Sequence, residues 1–341
     1  MKETIKNTFK GILFTLILLA LLWSVSWIFI PRNNTQDDWK YDYTANGFLA
    51  EPDNSLDVLF LGDSEVFSSI NPVRIWDSYG ITSYCCSTGK QRLWYTLEYL
   101  YDFYKNQSPR VVVLETDLIL KYFSIDDLIL HAPEHYLPVL RYHDRWKKFS
   151  FDEVFRTPQY TYIDDYKGYH FYSDIDAADE EGYMEKTDER AYISKMNRLY
   201  LNAILSCCNR NGSKLILLST PSTKNWNMKK HNRTQQLSEE LGIDYIDMNM
   251  PEYSVDIDWS KDTKDKGDHL NYYGAVKVTD AIGEYLNSLG ILSDHRNEKG
   301  YAHWKDSLDK LKSDVKNKLK TEYVSAETKK NQKDKEVPEN G

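Results

Sequence analysis

Five short apolar runs limit the fold more than any other feature of the chain. They are Leu56–Leu61 (LDVLFL), Ile81–Cys86 (ITSYCC), Arg110–Glu115 (RVVVLE), Lys214–Ser219 (KLILLS) and Ile243–Met248 (IDYIDM). Their apolar, β-branched character without regular polar alternation suits strands covered on both faces, as in a parallel sheet. Helical patterns separate them. Gln91–Lys105 places Leu93, Leu97, Leu100 and Tyr104 at three- and four-residue spacing and ends before Ser108-Pro109. Ala191–Asn209 repeats the pattern and stops at Asn211-Gly212, His231–Leu241 closes on Gly242, and Tyr273–Leu289 closes on Gly290. This alternation predicts an α/β chain with a doubly wound parallel sheet of about five strands. Its site is expected at the carboxyl ends of the strands.

Two stretches depart from the pattern. Leu118–Arg190 is crowded with aromatics and His (HAPEHYLPVLRYHDRWKKF, then YTYIDDYKGYHFY) and has no clean period. It is too long for a structureless loop and is expected to be an insertion with short helices, a lid over the site. After His295 the chain mixes Lys with Asp and Glu. Tyr301–Tyr323 is expected to be a helix with Trp304, Leu308 and Leu311 on one side, and the last fifteen or so residues to be disordered.

The 20 residues from Gly11 to Ile30 carry no charge. At about 1.5 Å per residue such a helix crosses a hydrocarbon core of about 30 Å. Lys2, Lys6 and Lys10 precede it, and Pro31-Arg32 and Asp37-Asp38 follow, which predicts a cytoplasmic N-terminus and an extracellular remainder. Bulky Trp27, Ile28, Phe29 and Ile30 stand where a cleavage site needs small residues, so an uncleaved anchor is expected over a cleaved signal. Trp23 and Trp27 fit an interfacial belt. The expected layout is a cytoplasmic stretch 1–10, a transmembrane helix 11–30, a linker 31–54, a catalytic domain 55–290 containing the 118–190 insertion, and a charged tail 291–341.

Only one such run exists, which excludes a polytopic membrane protein, and 14% aromatic content excludes disorder throughout. A net charge of −9 argues against a nucleic-acid partner. Four Cys in two vicinal pairs, Cys85-Cys86 and Cys207-Cys208, form no disulfide scaffold, and separate buried thiols are expected.

Chemistry concentrates at two points. Gly62-Asp63-Ser64 follows the first predicted strand directly, where a tight turn exposes a hydroxyl and frees its own N–H for an oxyanion. Asp265, Asp268, His269 and Asn271, followed by Gly274, precede the last predicted helix, where a loop His beside carboxylates can act as general base. In a doubly wound sheet a Ser after the first strand and a His after the last converge on one edge.

Here the sequence resembles the SGNH (GDSL-like) hydrolases and acyltransferases. The GDS turn matches the first block of that family, and Asp268–Asn271 (DHLN) with Gly274-Ala275 matches the last. It is similar in particular to membrane-anchored Gram-positive members associated with a membrane-bound O-acyltransferase, an arrangement shared in general by the D-alanyl transfer protein of teichoic acids and the alginate acetylation proteins. Supporting segments are Pro109–Glu115, Pro221-Ser222, Asn225-Trp226-Asn227, His231-Asn232 and Asp258-Trp259. The resemblance covers about residues 55–290 and implies a three-layer, flavodoxin-like fold. It also implies Ser64 as nucleophile and His269 as base. The triad acid usually lies three residues before the His, where this chain has Lys266; Asp265 and Asp268 flank it and either can serve, with Asp265 favoured. Gly89 corresponds to the second-block glycine of the oxyanion hole. The third-block Asn is replaced at the Glu115-Thr116-Asp117 strand end, and Asp117 is an acceptor when ionised, so Gln91 or Asn225 is the candidate third donor, with Asp117 and Trp226 also counted among the expected oxyanion or substrate-binding residues.

Other features carry less. His131, Glu134 and His135 do not form HExxH and Pro133 interrupts any helix there, so no metal is expected, and no cofactor. The aromatic stripe His135-Tyr136, Arg141–His143, Arg145-Trp146 and Tyr160–Tyr162 reads equally as a sugar-stacking surface or as lid packing. The function expected is extracellular O-acyl transfer to a cell-envelope or secreted polysaccharide or teichoic acid, beside a membrane-bound O-acyltransferase. The alternatives are a carbohydrate O-acetyl esterase and a non-catalytic partner that presents polymer.

Overall fold

The computed structural model describes residues 2–35, 43–123, 129, 134, 137–147, 150–253 and 255–333. They fall into two compact units, Met1–Tyr43 with Tyr122–Tyr162, and Thr44–Lys121 with Ile163–Gly341.

The second unit holds the sheet. Strands β1 (Val58–Gly62), β2 (Ser83–Ser87), β3 (Val111–Glu115), β4 (Lys214–Ser219) and β5 (Asp244–Asp247) run parallel in the order β2-β1-β3-β4-β5. This is the flavodoxin-like order, and the winding reverses between β1 and β3. Every residue of β1, β2 and β3 is buried, as unalternating runs require. Successive side chains enter opposite layers. Leu59, Leu61, Val112, Leu114, Leu215 and Leu217 pack on one side, and Val58, Phe60, Val111, Val113, Ile216 and Leu218 on the other.

Helices α2 (Ser64–Ser69), α3 (Pro72–Tyr79), α4 (Leu93–Phe103), α5 (Asp117–Leu120), α7 (Lys195–Arg210), α8 (Met228–Leu241), α9 (Tyr272–Ser288) and α10 (Ala302–Lys333) belong to this unit, and α1 (Lys2–Ser26) and α6 (Pro138–Tyr142) to the other. Leu100, Phe103, Leu201, Ile204 and Leu237 cover the first face of the sheet, and Val66, Ile75, Val278, Ile282 and Leu286 the second. The short helices α2 and α3 have too few turns to show a period. They are set by caps instead, the Asp63 carboxylate accepting from the Glu65 N–H and the Asn71 side chain from the Arg74 N–H, with Pro72 at the first turn.

The expected linker 31–54 ends earlier, because Ala45 and Phe48 are fully buried in the second unit's core. The expected insertion 118–190 is divided, with 122–162 in the first unit and 118–121 and 163–190 in the second. Within the second part, the Lys167 carbonyl accepts from the Cys85 N–H at 2.9 Å, continuing the hydrogen bonding of β2. Gly168 has a φ of 86°, and a Cβ there would lie 2.1 Å from the Cys85 carbonyl oxygen, so only glycine passes. Helix α10 reaches into the tail expected to be disordered, and residues 334–341 lie outside those described, as do His131, His135 and Tyr136. All four cysteines are buried free thiols.

In the first unit, α1 is followed by a 3-10 turn at Trp27–Phe29, and Glu3–Phe29 is long and apolar enough to cross a membrane. Helix α6 and 3-10 turns at His143–Lys147 and Phe151–Val154 lie in the same unit.

Candidate active site

Ser64 opens α2 two residues past the end of β1, beside the reversal point of the sheet. A Cβ on Gly62 would meet Val66 Cγ2 at 2.1 Å and Glu115 Cβ at 2.9 Å, so glycine is what lets β1 turn this tightly into α2. Ser64 is half-buried.

The second half of the site comes from the loop before α9. Leu270 is fully buried, and Asn271 caps α9, its side chain accepting from the Tyr273 and Gly274 N–H groups and donating to the Lys261 and Asp174 carbonyls. Between these anchors and Asp265, Lys266 (φ 60°) and Gly267 (φ 85°) adopt left-handed conformations. That reversal turns Asp265 back onto His269. One Asp265 oxygen accepts from the His269 backbone N–H at 2.7 Å, and the other lies 2.7 Å from Nδ1. On the far side of the ring, Nε2 is 2.7 Å from Ser64 Oγ. An ionised carboxylate only accepts, so Nδ1 carries the proton, Nε2 is the acceptor, and the Ser64 hydroxyl donates to it.

Burial pushes the Asp265 carboxyl upward, but the hydrogen bonds from His269 and the nearby Lys264 outweigh it, so the carboxyl stays below its ordinary range. Asp268 is displaced from this line. Its nearer oxygen is 3.9 Å from His269 Nδ1, and its other oxygen accepts from Asn225 Nδ2 at 2.6 Å. Of the two candidate acids, Asp265 is the one that holds the histidine.

Register places the remaining candidates. Gly62 pairs with Ser87, and Leu61 with Leu114, so Ser64, Gly89 and Asp117 all lie two residues past the same level of three adjacent strands. Gly89 is exposed with open space where a side chain would be. Asp117 accepts from Lys230 at 2.5 Å and lies 3.5 Å from Lys121, which also pairs with Asp63. Three expectations change. Gln91 is buried and accepts from the Thr88 N–H and hydroxyl while donating to Thr96, bracing the turn that carries Gly89. Both Asn225 amide hydrogens are engaged, by Asp268 and by Glu65 at 2.6 Å each, so Asn225 ties the loop to α2. Trp226 is buried with its indole N–H on Asp247 at 2.9 Å, beside His231 on the same carboxylate at 2.7 Å. Asn225 and Trp226 have no donor left for Ser64, and the Gln91 amide is directed to Thr96.

Sequence reasoning passed over Glu65, Glu115, Lys121 and Lys230. Burial, and then the charge of Asp63, pushes the Glu65 carboxyl well above its usual range, and burial followed by Asp117 does the same to Glu115. Two carboxyl groups with raised pKa thus lie close to Ser64, while Lys121 pairs with Asp63 and Lys230 with Asp117. The signal available was local: Glu65 adjoins Ser64, and Lys121 follows Asp117 by one helical turn. On the other flank His170 stacks on Phe67 of α2 at 4.2 Å between ring centroids. Glu65, Asp268 and His269 bring potential ligand atoms within 4.8 Å of one another. Both His269 nitrogens and one oxygen of each carboxylate in that group already make the hydrogen bonds described.

No family model matches the chain, and no curated protein matches it. Solved structures do. A lipase/acylhydrolase from Enterococcus faecalis is 11% identical, covering 70% of this chain and 98% of its own, at a TM-score of 0.38. A GDSL-like lipase from Bacteroides thetaiotaomicron is 12% identical over 68% and 88%, TM-score 0.36. The psychrotrophic esterase EstA from Pseudoalteromonas sp. is 11% identical over 68% and 97%, TM-score 0.36. These neighbours are acylhydrolases, lipases and esterases. At such values they carry nothing about chemistry here, which rests on the geometry of Ser64, His269 and Asp265.

Proposed function

We propose that the chain is an SGNH-type serine acyl-transfer enzyme, anchored by α1 with its α/β unit outside the cell. It moves a small acyl group onto a hydroxyl of a cell-envelope or secreted polysaccharide or teichoic acid, beside a membrane-bound O-acyltransferase. The observation that carries this reading is the unbroken line from Ser64 Oγ through His269 to Asp265, each link 2.7 Å.

Ser64 Oγ attacks the acyl carbonyl of the donor and its proton passes to His269 Nε2. Asp265, on Nδ1, stabilises the imidazolium that results. The backbone N–H groups of Ser64 and Gly89 serve the developing oxyanion, since the neighbouring side-chain amides are engaged. Collapse expels the donor's leaving group with the His269 proton and leaves an acyl ester on Ser64. The acceptor hydroxyl then gives its proton to His269 and attacks the ester, and the Ser64–acyl bond breaks as His269 returns that proton to Ser64 Oγ. Water in the acceptor's place makes the same site an esterase. The anchor is supported by the apolar length of α1, its Lys-bearing start, and Trp23 and Trp27 packed edge to face at its far end.

The test is incubation of the detergent-solubilised full chain with p-nitrophenyl acetate, followed by intact mass. Release of p-nitrophenolate and a one-acetyl adduct, both lost in Ser64→Ala, is the expected result. Folded protein with neither turnover nor adduct would overturn the enzyme reading and leave a polymer-presenting partner.

A further inference from the structure

We infer that the described residues of 137–155, namely 137–147 and 150–155, form an interfacial membrane platform. Its exposed Leu140, Trp146, Phe151 and Phe155 lie at the headgroup–acyl boundary of the bilayer that α1 crosses, at the exit end of that helix. The inference rests on reading α1 as a membrane span.

The level of the segment is set by two ties to the end of the span. The Arg145 guanidinium donates to the Phe29 carbonyl at 2.7 Å, and Phe29 is the last residue of the candidate span Glu3–Phe29. Further along, the Gln159 N–H donates to the Arg32 carbonyl at 2.8 Å, and the Thr161 and Tyr162 N–H groups donate to the Asn33 and Asn34 side chains at 3.1 and 2.9 Å. Helix α6 packs against α1 and against the Trp27–Phe29 turn. The stretch between Arg145 and Gln159 is therefore pinned at both ends to residues 29–34, where a bilayer gives way to headgroups.

The surface presented at that level is unlike one meant for water. Phe155 is 80% exposed, Phe151 74%, Trp146 65% and Leu140 43%. Phe151 and Phe155 stand together, ring centroids 6.0 Å apart. In the second unit the same residue types, Phe48, Phe60, Phe103 and Trp304, are fully buried. Within 137–155 Arg141, Arg145, Lys147 and Lys148 stand against Asp144, Asp152 and Glu153, so this stretch does not share the net negative charge of the whole chain, −9, that opposes anionic headgroups. Aromatic rings with Arg and Lys at one depth are the composition that partitions into the interface.

The experiment places an environment-sensitive fluorophore on the full chain in vesicles of mixed neutral and anionic phospholipid. The native thiols are buried, so labelling is directed to an introduced Cys. Phe151→Cys and Phe155→Cys probe the platform, Leu16→Cys the centre of α1, and Tyr192→Cys, a 75% exposed site of the other unit, the aqueous reference. Expected at residues 151 and 155 are a blue-shifted emission and loss of about half the signal or more to lipids spin-labelled near the headgroup, the quenching zone of an interfacial residue. Residue 16 should respond to deep spin labels and residue 192 to neither. If residue 16 is quenched and 151 and 155 behave like 192, the platform is wrong while the anchor stands. If residue 16 also fails, the anchor reading falls and the inference with it. Shielding of 151 and 155 from a water-borne quencher without any lipid quenching would point to a protein partner and equally overturn the inference.

Discussion

At His269 the decisive detail is a single extra residue. Asp265 lies four positions before the histidine rather than three, and the surplus is absorbed by Lys266 and Gly267, whose left-handed backbones fold the carboxylate back to 2.7 Å from Nδ1. Gly267 takes such a conformation at little cost and Lys266 at more, which marks a turn held by its surroundings. Asp268 is nearer in sequence but spends one oxygen on Asn225. Asp265→Asn should therefore lower kcat by about a thousandfold, because the asparagine amide reverses the tautomer that Ser64 needs. Asp268→Asn should cost about tenfold or less, since an amide at that position preserves the shape while only loosening the tie to Asn225. Steady-state ester hydrolysis of the two variants checks this, and a larger loss in Asp268→Asn would reverse the assignment.

Elements bring these residues together through their ends. Strand β1 delivers Ser64 because Gly62 allows a turn that no larger residue fits, and α9 delivers His269 because Asn271 caps it while buried Leu270 holds the loop down. Gly274 completes the arrangement, since a Cβ there would lie 2.6 Å from the Asp262 carbonyl. Helix α10 has a different task. Trp304, Leu308 and Leu311 are buried in the first core layer, and Trp304 stacks on Trp76 with centroids 6.2 Å apart. Lys167, wholly buried on Glu51, lies 5.1 Å from the Trp304 ring. Trp304→Ala should cost about 3–5 kcal/mol, the range for a buried aromatic cut to alanine. Urea unfolding of the solubilised chain measures it, and a loss below about 1 kcal/mol would mean that α10 is not part of this core.

For the second unit as a whole, acid should loosen what neutral pH holds. His170 is packed on Phe67, with Thr44 Oγ1 3.2 Å from its Nε2 and the Tyr172 hydroxyl 3.4 Å from Nδ1. Burial, and then Lys264, lowers its pKa to about 4. The unfolded chain, with an ordinary imidazole, binds a proton first on acidification. The contribution of His170 is thus complete above about pH 6.5 and is lost as pH falls toward about 4, about 3 kcal/mol at most. His170→Phe keeps the stack and removes the titration. Its stability relative to the parent should rise as pH drops from about 7 to about 5, measured by denaturant unfolding at each pH. Equal pH slopes in the two proteins would rule this out. Glu65 and Glu115 act in the opposite sense in both proteins, because their raised pKa values mean stability lost as pH rises, and the comparison cancels them.

What the sequence by itself determined was whatever is encoded by runs and periods. The five strands appear within two residues of the expected boundaries, the four longer predicted helices of the sheet domain are present, and the buried stripe of Trp304, Leu308 and Leu311 follows from its spacing. Gly-Asp-Ser and Asp-His-Leu-Asn were legible because turn, cap and close-packing demands fall on neighbouring residues. Tertiary structure alone decided between Asp265 and Asp268, since the choice depends on two backbone angles that residue type does not dictate at Lys266. It also assigned the side chains of Gln91, Asn225 and Trp226 to other partners: Thr96 for Gln91, Glu65 and Asp268 for Asn225, Asp247 for Trp226. The division of residues 118–190 was equally beyond reach of the sequence. A stretch without periodicity carries no local record of which neighbours it will bury itself against, and only the folded chain settles that.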